Sequence, residues 1–526
     1  MLFNSPEFLF FFLPITLVVY FAIGSLGRYR VAISWLVLAS LFFYGWWNPA
    51  YVFLIVASII FNYAIGVALL QWKRPGRRAL VALGVAANLG LLGYFKYAGF
   101  LTANVNALTD ASWSVGDIVL PLAISFFTFQ QITYLVDAYR CETRETNFLH
   151  YCLFVTFFPQ LIAGPIVHHK EMLPQFGRSS VCRLDLNRLV SGFTIFLIGL
   201  FKKVVIADGV AVYATPVFNA AELGAQLTLL ESWGGALAYT FQLYFDFSGY
   251  SDMAIGLGYM FGIRLPLNFN SPYKATSIID FWRRWHMTLS RFLRDYVYIP
   301  LGGSRKSLPR RYVNLMITML LGGLWHGAGW TFVMWGGLHG CYLLVNHAWR
   351  ALLVAAGYRP GQLGRIGRIS SLSLTFIAVV VSWVIFRAES LTGAVVILKG
   401  MVGMNGVALP ASYAAAPGPV SSIFSMLGWD LVPGGLPYFG GLQEVAVLIT
   451  LLGVCWLLPN SFDLMRRYYR PVVDTRHATD RPEARPVSRL EWRMRPSWAV
   501  AVGALASLSM LALFSSQPSE FLYFQF

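Results

Sequence analysis

"NLMITMLLGGLWHGAGWTFVMWGGLHG" (residues 314–340) contains no Asp, Glu, Lys or Arg. A bilayer core is crossed by about 20 apolar residues, so this stretch places the chain in lipid. Seven glycines between 321 and 340 let other backbones come close. Two histidines interrupt the run, His326 in its middle and His339 near its end. An imidazole at membrane depth needs either a hydrogen-bonding partner or a task. At this point both readings stand: a packed interior position, or a site of chemistry.

The rest of the 526 residues agrees with a membrane setting. The chain is 57% hydrophobic and only 12% charged, where a soluble protein carries about 25% charged residues. Apolar runs long enough to span fall at about 8–25, 31–47, 51–70, 79–97, 118–136, 188–206, 233–262, 312–330, 332–349, 369–387, 441–459 and 498–516. The fold class expected is an all-α polytopic membrane protein. The opening "MLFNSPEFLFFFLPITLVVYFAIG" lacks a basic start and a small-residue cleavage site, so it reads as a retained helix.

The net charge of +16 is placed asymmetrically. Segments 100–117 and 207–232 have no Lys or Arg, and 388–440 has one lysine. Segment 264–311 has ten basic residues against two acids, and 460–497 has nine arginines. These signals alternate with the spans. The positive-inside rule then puts the basic loops in the cytoplasm and both termini outside. No nucleic-acid partner is expected. "YCLFVTFFPQLIAGPIVHHK" (151–170) is apolar but broken by Pro159, Gly164 and Pro165, with basic residues on both flanks. It reads as a re-entrant segment, which requires burial in protein or a wet cavity; the alternative, one more full span, would upset the charge alternation.

Other polar groups lie in apolar surroundings. Asp246 and Asp252 sit in "QLYFDFSGYSDMAIG" (242–256), and Asp246 has the plain alternative of pairing with a buried lysine or arginine. In "DFWRRWHMTLSRFLRDYVYIPLGG" (280–303), Trp282, Trp285 and Phe292 alternate with Arg283, Arg284, Arg291 and Arg294, around His286. Alone, that segment would pass as an amphipathic interfacial helix. No metal is expected: the five cysteines form no CxxC pair, and His168–His169 lacks the i,i+4 spacing that shares a helix face. A P-loop and a GxSxG elbow are both missing, which removes support for ATP-driven transport and for a serine hydrolase.

Taken in order, these motifs resemble the membrane-bound O-acyltransferase superfamily, in its bacterial alginate O-acetylation branch. The resemblance runs from "MLFNSPEFLFFFLPI" through "GYFKYAGF" (93–100), "LPLAISFFTFQQITYLVDAYR" (120–140), "FFPQLIAGPIVHH" (157–169) and "QLYFDFSGYSDMAIGLGYMFGI" (242–263). It continues through "FWRRWHMTLSRFLRDYVYIPLGG", the opening stretch and the final "FLYFQF".

The resemblance implies one integral domain over 1–526, with a core at about 93–350 and further helices at about 369–516. It implies a ring of about 11–12 spans with re-entrant and interfacial helices around a central funnel and tunnel. His326 of "LWHG" and His286 of "RRWHMTLS" are the catalytic candidates. Trp325, Asp246, Tyr250, Trp285, Arg283 and Arg294 are candidates for the tunnel wall or for substrate contacts. The implied donor substrate is acetyl-coenzyme A or an acyl-carrier thioester, with no bound cofactor. The implied partner is a periplasmic SGNH-type acetyltransferase or the polysaccharide acceptor itself. Neutral imidazole, with a pKa near 6.5, suits the removal of a hydroxyl proton. The same ring could instead carry the acyl group as a nucleophile. The arginines of 264–311 either attract the donor's phosphates or merely anchor topology. The alternatives are a D-alanyl transferase of the teichoic-acid type and a transporter without covalent chemistry, for which inverted repeats would be expected.

Overall fold

The structure is a computed structural model. It describes residues 1–71, 75–143, 146–357, 364–408, 426, 437–472, 490–515 and 521–522. Among these, every element is a helix. Six helices are long and apolar enough to cross a membrane: Phe8–Ser25, Ala50–Gln71, Arg77–Thr109, Leu186–Glu222, Arg365–Arg387 and Pro496–Ser515. Ala50–Gln71 shows why. It is apolar all round, burying Ile55 and Ile59 while turning Phe53 and Ile60 outward. A helix with no polar face is stable only in a solvent as apolar as itself. The chain is an all-α polytopic membrane protein.

Each apolar run found in the sequence contains a helix, but the boundaries differ for physical reasons. The run at 118–136 starts its helix only at Ile124, because Ala123 takes the left-handed conformation after Pro121. The runs expected to end at 97 and 206 continue to Thr109 and Glu222. Polar residues end the hydropathy signal there, yet they do not interrupt backbone hydrogen bonding. Both helices pass through a π-helical turn, Gly93–Tyr97 and Lys202–Ala207.

The 151–170 segment is broken, as its prolines and glycine suggest. Short helices Phe148–Thr156, Phe158–Leu161 and His169–Phe176 take its place, and residues 153–169 are all buried. The longest of these extends about 14 Å, too short to span. Interrupted backbone is thus enclosed by protein.

The chain divides into two compact units. One comprises residues 1–201, 248–268 and 461–525; the other comprises 202–247 and 269–460. In the first, Leu13–Ser25 packs on Tyr29–Gly45, and Leu186–Phe201 packs on Pro496–Ser515. In the second, Leu308–His326 packs on Trp330–Ala355, which also meets Arg365–Arg387. Residues 409–425 and 427–436 of the lysine-poor segment, and 473–489 of the arginine-rich one, lie outside the described residues.

Candidate active site

His326 owes its place to a helix break. Leu308–His326 begins with Pro309 in its first turn, where a missing N–H costs nothing, and it ends on His326 itself. Gly327 and Gly329 are extended, and a second helix starts at Trp330. The histidine is therefore a helix-terminal residue, whereas the sequence suggested the middle of a helix.

Glycines then draw the two helices together. A Cβ on Gly323 would lie 2.2 Å from the Phe332 carbonyl oxygen, and one on Gly336 would lie 2.4 Å from that of Met319. Both obstacles are backbone, so neither can turn aside. Gly323→Ala is expected to push the helices apart, lower thermal stability in detergent by about 1–3 kcal/mol and reduce activity with it. A variant with unchanged melting temperature would contradict this packing.

His286 arrives from the neighbouring segment. Ser277 Oγ accepts the Asp280 N–H and starts the short helix Ile278–Trp282. The chain then turns, and His286 takes φ 41° and ψ 53° before helix Met287–Leu293. The continuous amphipathic helix that this segment might have formed is thus replaced by two pieces. Left-handed backbone at a non-glycine residue costs about 1–3 kcal/mol and persists where the surroundings enforce it, commonly at functional sites. Here it buries the imidazole completely. The Phe247 ring meets it edge-on at 4.8 Å.

The two imidazoles meet edge to face, with ring centroids 6.3 Å apart. Around His326 stand Trp325 at 5.0 Å, Trp335 at 5.2 Å and Phe386 at 5.2 Å. His326 is 5% exposed. A third histidine supports this wall from behind. Trp282 Nε1–H donates to His339 Nδ1 at 3.3 Å. His339 therefore carries its proton on Nε2 and donates it to Ser382 Oγ at 3.0 Å, while Ser382 Oγ–H donates to the Val379 carbonyl. His339 is a fully engaged neutral ring, and Trp335 lies against it at 4.8 Å.

The other candidates divide. Trp325 and Trp285 are buried in the same unit, Trp325 against both imidazoles and Trp285 against Trp383 at 4.9 Å. Asp246 is an ion-pair partner: Lys203 Nζ lies 2.8 Å from its Oδ1 and 2.8 Å from Asp208 Oδ1. Tyr250 belongs to the other unit, where Phe3 stacks on it at 4.9 Å and Phe521 meets its edge at 4.4 Å. Arg294 pairs with the adjacent Asp295 at 2.8 Å. Arg283 is exposed and makes no ion pair among the described residues.

His168 and His169 gain a third neighbour that their spacing could not reveal. Ligand-type atoms of Asp137, His168 and His169 lie within 4.8 Å of one another. His168 caps a helix, its Nδ1 accepting the Lys170 N–H, so its Nε2–H donates to Asp137 Oδ2 at 2.8 Å. Lys170 Nζ is 3.7 Å from the same oxygen and also pairs with Glu142. That ammonium places a positive charge beside the Asp137 carboxylate.

Sequence reading passed over Trp335. The signal was present: Trp335 and His339 are four apart and share a helix face. What it lacked was the break after His326 that folds this face back onto the histidine.

Comparison with known proteins points to one family. The sequence profile of the membrane-bound O-acyltransferase family matches residues 136–362, which include both imidazoles and Trp335. A peptidoglycan O-acetyltransferase of Helicobacter pylori is 41% identical over all of this chain and 98% of its own. A "Probable alginate O-acetylase" of Pseudomonas putida is 39% identical over the whole of both chains. A teichoic acid D-alanyltransferase of Streptococcus thermophilus is 29% identical over 50% of this chain and 68% of its own. Full-length similarity at this level shows that the chain belongs to the membrane-bound O-acyltransferase family and is an acyltransferase of membrane O-acetylation.

Proposed function

We propose that His326 is the general base that moves an acetyl group from a cytoplasmic thioester to a hydroxyl of an exported glycan. The observation that carries this reading is the buried pair His326–His286, set among aromatic rings within the family region. An alcohol attacks a thioester slowly while it holds its proton, and a buried imidazole kept in its neutral form can take it. His286, its ring centroid 6.3 Å from that of His326, orients the reactants beside the base. The donor is acetyl-coenzyme A or an acyl-carrier thioester, and exposed Arg283 is suited to its phosphates. The charge pattern supports donor entry from the cytoplasm, termini on the outer face and residence in the inner membrane. The acceptor is then extracytoplasmic, either the glycan itself or a periplasmic SGNH-type transferase that relays the acetyl group.

Sealed vesicles of opposite orientation test this. Labelled acetyl-coenzyme A supplied to inside-out vesicles is expected to yield alkali-labile acetyl ester on the lumenal side. The same donor outside right-side-out vesicles is expected to yield none. Equal transfer from both faces would overturn the sidedness, and absence of transfer in both would overturn the donor.

A further inference from the structure

Behind His326 one polar relay is closed from end to end. Trp282 Nε1–H is taken by His339, His339 by Ser382, and Ser382 by a backbone carbonyl. Trp335 and Trp383 stand outside that relay, and of the two Trp335 is the one in contact with His326. Trp335 is 1% exposed, and its Nε1–H has no acceptor among the described residues. Buried donors in native proteins are nearly always paired, and an exception calls for a reason. The Trp335 ring stands perpendicular to the His326 imidazole, 5.2 Å away, with Trp383 stacked on it at 5.7 Å and Phe386 at 5.1 Å. Close contact of Gly323 with Gly336, the residue after Trp335, fixes that approach.

We infer that the Trp335 indole N–H is a catalytic hydrogen-bond donor to the acyl oxygen, filled only when the thioester is bound. The inference rests on the reading of His326 as the base. The acceptor hydroxyl oxygen bonds to the acetyl carbonyl carbon as its proton passes to His326. The carbonyl π pair moves to oxygen, and this oxyanion accepts the indole N–H. The C=O then re-forms, the C–S bond breaks, and the leaving sulfur takes the proton back from His326. Alcohol and thioester become ester and thiol. If His326 attacks first as a nucleophile, the same oxyanion forms and meets the same donor. A preorganised donor in a dry site stabilises such a charge strongly and needs no reorganisation at the moment of reaction.

Trp335→Phe keeps an aromatic ring and removes the N–H. Expected in inside-out vesicles with labelled acetyl-coenzyme A is a loss of about 10²–10³-fold in kcat, with KM changed less than about threefold. The melting temperature in detergent should be unchanged or higher, because the resting protein loses an unmet donor. Activity therefore falls without a matching fall in stability, which a packing role cannot produce. Wild-type kcat in Trp335→Phe would overturn the inference, as would a fall in kcat matched by a fall in melting temperature. His326→Ala measured alongside separates the two readings. If it is inactive while Trp335→Phe is normal, only the donor role fails. If His326→Ala is itself normal, the reading of the base fails and this inference with it.

Discussion

His326→Ala is expected to lower O-acetylation by about 10²–10⁴-fold, the usual weight of a general base, while the protein still inserts and accumulates. The helix that ends at His326 is held by backbone contact between Gly323 and Gly336, not by the imidazole. Removing the ring leaves a gap bounded by Trp325, Trp335 and Phe386, so a modest loss of thermal stability accompanies the change. His326→Phe keeps that volume filled and should be as inactive as the alanine variant but more stable. The measurement is alkali-labile acetate in the glycan per unit of membrane-inserted protein. Normal acetylation in either variant would remove His326 from the chemistry. Loss in the alanine variant alone would reduce it to a spacer.

The sequence exposed the helices better than the contacts between them. Lipid forces each span to be apolar all round, and that property is written locally, so each apolar run contained its helix. Breaks at prolines were equally legible, as in the 151–170 segment. The break after His326 was not, since Gly327 and Gly329 also suit a glycine-rich packing face. His286 and His326 stood out because charge-capable side chains are rare in lipid. Their partners did not. Lys203 is far from Asp246 in the chain, and Asp137 is far from His168; only packing brings each pair together. Trp335 was hidden for a related reason. An indole in an apolar helix looks like core until its unmet N–H and its place beside His326 are known.

Lys203→Met is expected to destabilise the protein by about 3–5 kcal/mol, the range for stranding one member of a buried ion pair. Lys203 sits in the π-helical turn Lys202–Ala207, is almost wholly buried, and holds two carboxylates at 2.8 Å. Asp208 is 24% exposed at its side chain and can turn toward solvent, but Asp246 at 2% has no such outlet. The methionine variant must therefore keep a charge in an apolar interior or protonate Asp246. Removing both charges, as Lys203→Met with Asp246→Leu, should recover most of the lost melting temperature, because the cost lies in the stranded partner and not in the absence of attraction. A single variant as stable as wild type would show that the pair is not desolvated. The double variant also decides between the two readings of Asp246. If it is stable and active, the ion pair only anchors the helix that carries Phe247 against His286. If it is stable and inactive, Asp246 acts on the reactants as well as on Lys203.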